Sequence, residues 1–298
     1  MRRILHPGPV AAQRATVVPT ALRPVQLTLP AGHTLLQAVA QALAAHGARS
    51  AVLWLDGGPL FPFAWVMPAL SRTPEHAVYF SERFDANAAV QLQGATVTVG
   101  LRDGAPSLHA HGDWRDAQGR RHVGHLLPQD VVLCAPMTAQ AWLLDGAAFC
   151  AQADDETRFT LFQPTAEPAE PSTTTPPTTP TTTPTTTARP ALAVRLAPNV
   201  DLCSALEALC RDHGIHSATV RGGVGSTVGA VFDDGRVVEP FVTELLIRHG
   251  RIQRDAQAQP QAQIDISLVD HLGGLADGRL ARGANPVLVT CELVLAPD

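Results

Sequence analysis

The chain has 298 residues, 45% hydrophobic and 16% charged, enough apolar material for a real core in each of two domains, and a composition that excludes a disordered chain. A formal net charge of −5 argues against gripping phosphate backbones by bulk electrostatics, and so against nucleic acid as a partner. Five cysteines at 134, 150, 203, 210 and 291 contain no CxxC pair, which argues against a disulfide framework or a thiolate metal site and fits a reduced cytoplasm.

The start, MRRILHPGPVAAQR, has no apolar h-region, and no later run reaches about 18 apolar residues, so neither secretion nor membrane insertion is expected. Residues 1–21 read as an extended segment. In PAGHTLLQAVAQALAAHGARSAVL, starting at Pro30, the residues Leu35, Val39, Ala42 and Leu43 recur at helical spacing. Thr34 is placed to cap that helix, and Gly47, after His46, to end it in a left-handed conformation. Leu55-Asp56-Gly57-Gly58-Pro59 reads as a turn. Phe61, Phe63, Trp65 and Met67 then alternate between Pro62 and Pro68, as a core or edge strand or as an exposed contact. Thr96–Val99 and His122–Leu133 read as strands.

The stretch Ser107 to Leu127, SLHAHGDWRDAQGRRHVGHLL, holds four of the twelve histidines. In a strand, His109 and His111 project from one face. If Asp116 to Arg120 closes a three-residue hairpin loop with Gly119 left-handed, paired numbers sum to 236 and His125 lies opposite His111. A two-residue loop would instead send His125 to the other face. His122 has the wrong parity in the favoured register. Three neutral imidazoles with an open fourth position suit zinc or another borderline divalent metal; the competing reading is a set of polar residues on an exposed edge hairpin.

From Pro164 to Pro190 the chain reads PTAEPAEPSTTTPPTTPTTTPTTTARP, which has almost nothing to bury and is expected to be a semi-rigid, polyproline-like tether of up to roughly 80 Å. Beyond it the first half recurs. APNVDLCSALEALCRDHGIHSATV, from Ala197, lies over the Pro30 segment at a constant offset of 167, so that Leu35 meets Leu202, His46 meets His213 and Gly47 meets Gly214. Asp201 caps the second helix, in which Cys203 and Cys210 read as core filler. Arg221-Gly222-Gly223-Val224-Gly225-Ser226 lacks the third glycine and the following helix of a dinucleotide loop. Glu244–Ile247, Ile264–Val269 and Val287–Leu295 read as strands. One helix among many hairpin-connected strands implies an α+β fold in each copy, with the helix packed on an antiparallel sheet.

A helix ending in HG, then SA, His109-Ala110-His111, Asp116, Gly119 and Gly124-His125-Leu126 together resemble the PPC domain ("plants and prokaryotes conserved", also written PCC). The resemblance covers both copies and divides the chain into residues 1–21, a first domain 22–163, a linker 164–190 and a second domain 191–298. It implies a curved antiparallel sheet beside a helix, a homo-oligomer of trimer type, and in some members a metal held by three histidines, here His109, His111 and His125. At an offset of 154 the second copy has Gln263, Asp265 and Arg279 in those places; arginine puts a fixed cation where a metal would sit, so that copy is read as metal-free, with Asp265 and Arg279 able to pair. The glutamate usual in the family is Glu244 in the second copy and Gly94 in the first. A general base beside the histidines would then be Asp113, or a group borrowed from the second domain or another subunit. The functions implied are a module that binds a divalent metal, zinc first, and has a binding or regulatory role; a metal-dependent enzyme acting on a small polar molecule; or a DNA-binding regulator, against which the charge argues.

Overall fold

The structure is a computed structural model that describes residues 2–167 and 188–298. The first half runs β1 (Ala15–Leu29), α1 (Leu35–Ala45), β2 (Ala51–Leu55), β3 (Gly58–Leu60), β4 (Ala64–Val66), β5 (Pro68–Leu70), β6 (Val78–Phe80), β7 (Phe84–Asp85), β8 (Val90–Arg102), β9 (Ala105–Arg115), β10 (Arg121–Leu126), β11 (Met137–Asp145), β12 (Ala147–Ala153) and β13 (Thr160–Ala166). The second runs β14 (Arg189–Leu196), α2 (Leu202–Asp212), β15 (Ala218–Val231), β16 (Val237–Arg254), β17 (Pro260–Asp270), β18 (Leu275–Arg279) and β19 (Val287–Pro297). Most of the tether read from the sequence lies outside the described residues; its two ends are the last residues of β13 and the first of β14.

Both helices begin and end as their sequences dictate. Thr34 and Gln37 form a reciprocal capping box, and Asp201 accepts from the Ser204 amide. Gly47 and Gly214 both sit at φ +65°, a conformation glycine adopts without steric cost.

The α+β expectation is overturned. Among the described residues there are two helices of eleven residues each against nineteen strands, and the pairing is almost wholly antiparallel. In the first half hydrogen-bonded strands follow the order β1, β11, β2, β8, β9, β10. The second repeats it as β14, β19, β15, β16, β17, β18. Residues 15–22 of β1 pair antiparallel with residues 196–189 of β14, so the two ladders form one continuous sheet. The apolar faces of α1 and α2 fill gaps in the two cores, but three turns of helix are too short to form a layer over six strands. Counting elements along the chain missed this, because it cannot see strands from distant segments fusing.

Two apolar clusters cross between the halves. One contains Leu22, Val52 and Phe149 with Ala191, Ala193 and Val294; the other joins Val123 and Trp54 to Leu246 and Val269. A charged cluster lies beside the second. Asp113, 3% exposed, accepts from Arg121 on the neighbouring strand and from Arg248 of the second half, while Arg121 continues to Asp277 and Arg248 to Ser267. The glycine-rich segment Arg221–Ser226 is an irregular stretch of β15, with a register break between Arg221 and Val224 in its pairing with β19. The guanidinium of Arg221 stacks over Trp142, 4.8 Å from the ring centroid.

Removing the carboxylate at the centre of the charged cluster leaves Arg248 with only the Ser267 hydroxyl and Arg121 with Asp277 as its one remaining counter-charge, the two guanidinium groups still adjacent. Asp113→Ala is therefore expected to lower unfolding free energy by about 3 kcal/mol, measured by urea denaturation. A loss under about 0.5 kcal/mol would mean that the cluster does not hold the halves together.

Candidate metal centre

The β9–β10 hairpin has the three-residue loop that its sequence suggests. The Asp116 amide donates to the Arg120 carbonyl at 2.9 Å and Gly119 has φ +77°. His111 lies opposite His125, and His109 is two residues back on the same face. His122 points elsewhere, stacked on Trp114 and 3.1 Å from the Asp116 carboxylate.

One nitrogen of each of the three imidazoles lies within 4.8 Å of the other two. The His109 and His111 Nε2 atoms are 3.2 Å apart, and His111 Nε2 is 3.3 Å from His125 Nδ1. The outer nitrogens assign the protons. His111 Nδ1 sits 2.7 Å from the Leu245 carbonyl, which can only accept, so Nδ1 carries the hydrogen and Nε2 presents a lone pair. His109 Nδ1 sits 3.0 Å from the Glu292 carboxylate, with the same consequence. Lone pairs thus face one another across about 3.2 Å, an arrangement that a shared cation relieves. Nitrogens bound tetrahedrally to zinc at about 2.0–2.1 Å stand about 3.3–3.4 Å apart, so the donor set fits such an ion in type, and the His109–His111 and His111–His125 spacings match it.

Burial, with the neighbouring His109 adding to it, pushes His111 down to about 3, and burial likewise holds His125 well below its ordinary value. Both rings are therefore neutral, as ligands must be, throughout the physiological range.

The groups that orient the rings come from the second half. Glu292 on β19 is 1% exposed, and Leu245 lies on β16. Neither was singled out in the sequence. A signal for Glu292 existed: a lone carboxylate inside the apolar run of β19, VLVTCELVLAP, has to find a partner when buried.

Two cavities meet the histidines. One is lined by His109, His111 and Glu244 and, among its apolar walls, by Val78, Phe80 and Phe159. The other is lined by His109 and His125 together with Arg102 and Gln129. Glu244, from the second half, lines the same cavity as His109 and His111. Asp113 lines neither cavity, being tied to Arg121 and Arg248. The place of the missing glutamate in the first copy is closed by Trp54, whose ring lies 2.7 Å from where a Cβ on Gly94 would stand. In the second copy Asp265 and Arg279 pair at 2.9 Å, and among the described residues the one group of three or more potential ligands is His109, His111 and His125.

A PCC (Plants and Prokaryotes Conserved) domain is found at residues 185–297. Solved structures similar to this chain include a plant- and prokaryote-conserved (PPC) protein of Pyrococcus horikoshii, at 17% identity and TM-score 0.40, covering 52% of this chain and 96% of that one. A Ralstonia eutropha JMP134 protein named as a candidate DNA-binding protein is similar at 19% identity and TM-score 0.34, covering 46% and 88%. The metal-containing protein AF0104 of Archaeoglobus fulgidus is similar at 16% identity and TM-score 0.37, covering 47% and 92%. No curated protein matches the chain. No helix among the described residues is long and apolar enough to cross a membrane.

Burial alone pushes the Glu244 carboxyl from 4.5 up to about 8. The folded protein therefore keeps a proton that the unfolded chain releases above 4.5, and the stability associated with this group falls as pH rises through that window. Glu244→Gln, neutral at every pH, is expected to gain about 2–3 kcal/mol on the parent between pH 5 and pH 7, by denaturation at each pH. A constant difference would place Glu244 in contact with water or a cation. His111 and His125 titrate in both proteins and drop out of the comparison.

Proposed function

We propose that this chain is a metal-binding protein with a binding or regulatory role, in which His109, His111 and His125 hold one zinc ion and two PCC-type halves are used differently, the first for the ligands and the second for their support. The observation that carries this reading is the convergence of three imidazole nitrogens whose outer partners, the Glu292 carboxylate and the Leu245 carbonyl, leave lone pairs pointing inward.

Bound there, zinc would supply Lewis acidity toward an oxygen-bearing ligand at a fourth position. The residues of the chain do the rest. Glu292 and Leu245 fix the tautomers and ring planes of His109 and His111. Phe80, with its ring centroid 5.1 Å from that of His125, holds the third ring. Leu161 and Phe159, shared by both cavities, limit the water that reaches the site. A metal-dependent enzyme acting on a small polar molecule is the second reading, favoured by one observation: Glu244 lines the same cavity as His109 and His111.

Protein purified without chelator is expected to carry one zinc per chain by elemental analysis, and each of His109→Ala, His111→Ala and His125→Ala to carry none. Glu292→Gln, which keeps the shape but loses the charge that orients His109, is expected to weaken zinc about 10- to 100-fold in a chelator competition. Metal-free wild type would end the reading. DNA binding, the activity in the Ralstonia protein's name, is decided on the same preparations by a mobility shift at low salt, where phosphate contacts are strongest. Assembly as a trimer belongs to the same proposal and is read from light scattering.

A further inference from the structure

The cavity lined by His109, His111 and Glu244 combines apolar walls with an uncommitted polar group. Its walls include Pro68, Val78, Phe80, Phe159, Val242 and Leu288. Most hydroxyls along it are already engaged: Ser226 accepts from the Val289 amide, Thr243 bonds Thr227, and Thr290 accepts from Arg195. Glu244 is different. It is 7% exposed and its Oε2 has no hydrogen-bond partner among the described residues. A buried carboxyl oxygen without a partner costs on the order of 1–3 kcal/mol, which a ligand group placed against it would remove.

We propose that this cavity binds a small monocarboxylate with an apolar chain, its head between the histidine cluster and Glu244 and its chain among the aromatic and aliphatic walls. This rests on the reading of the three histidines as a metal site for one of the two head contacts; the Glu244 contact and the apolar walls stand without it. The chemistry selects the class. A neutral Glu244 donates one O–H, so the head must offer an acceptor; a metal at the histidines takes an oxygen; a carboxylate supplies both from one carbon. Buried and with no partner for Oε2 among the described residues, the Glu244 carboxyl favours its protonated form in the metal-free protein. An amine head would meet a metal cation and find nothing at the cluster to accept its hydrogens.

The test is calorimetric titration of full-length protein at pH 7 with acetate, butanoate and hexanoate, and with the matching alkylamines, the metal content of each sample being measured alongside. Each added methylene should tighten carboxylate binding about fourfold while the cavity fills, and the amines should bind at least tenfold more weakly. Glu244→Ala should weaken every carboxylate without changing the dependence on length. Val242→Phe, which fills the cavity, should remove the length dependence and leave acetate. Affinity that is flat from acetate to hexanoate in a zinc-containing sample overturns this inference and leaves the zinc reading in place. A sample without zinc overturns the zinc reading; in it, growth of affinity with chain length supports the cavity assignment, and its absence overturns that as well. Equal binding of amines and carboxylates overturns the choice of head group.

Discussion

Everything distinctive about the site depends on the antiparallel pairing of β1 with β14. Each half, taken alone, is a six-strand ladder with an eleven-residue helix and two edges, and an exposed edge strand invites pairing with another chain. Joining the first strand of each ladder to the other removes one edge from each. It also places the two halves head to head, so that the face of the β9–β10 hairpin meets β16 and β19 of the second half. The side chains at that meeting include the three histidines, Glu292, Glu244, Asp113 and Arg248. Polar groups gathered where two apolar clusters cross between the halves must satisfy one another. Their mutual pairing gives the packing one orientation, where apolar contact alone would tolerate several.

How much of this could be read from the sequence follows the range of the interaction. The helix caps at Thr34 and Asp201, the glycines at 47 and 214, and the register that puts His125 across from His111 are set by residues a few positions apart, and the structure has them as the sequence implied. The Asp265–Arg279 pair, fourteen residues apart on one hairpin, was legible for the same reason. The partners of the histidines were not. Glu292 lies 183 residues from His109, and Leu245 lies 134 from His111. A carbonyl leaves no trace in residue identity, and the carboxylate shows only as a charge in an apolar strand. The fold class failed likewise: periodicity marks a strand without saying which distant strand will lie beside it, so two expected α+β domains became one long sheet.

The two halves carry complementary groups. The first keeps the histidines and has glycine where the second has Glu244; Trp54 occupies the space that Gly94 leaves. The second keeps the glutamate and replaces the ligands by an Asp265–Arg279 pair that neutralises itself. At the position 167 residues beyond Trp54 the second copy has Arg221, which turns its charge over Trp142 of the first half. The histidines of the first half and Glu244 and Glu292 of the second lie together where the halves meet.

That division explains why the halves occur in one chain. A site assembled from two separate proteins would be populated only as far as their concentrations allow, and two similar surfaces could also pair like with like, bringing two sets of histidines or two glutamates together. Covalent linkage makes the encounter intramolecular, with an effective concentration in the millimolar range for short flexible connections and less for a long spacer. The segment between the halves, rich in proline and threonine, carries little apolar side chain that could compete for the edges of the ladder. Each half then needs only the groups that the other does not supply, because the partner is always the same molecule.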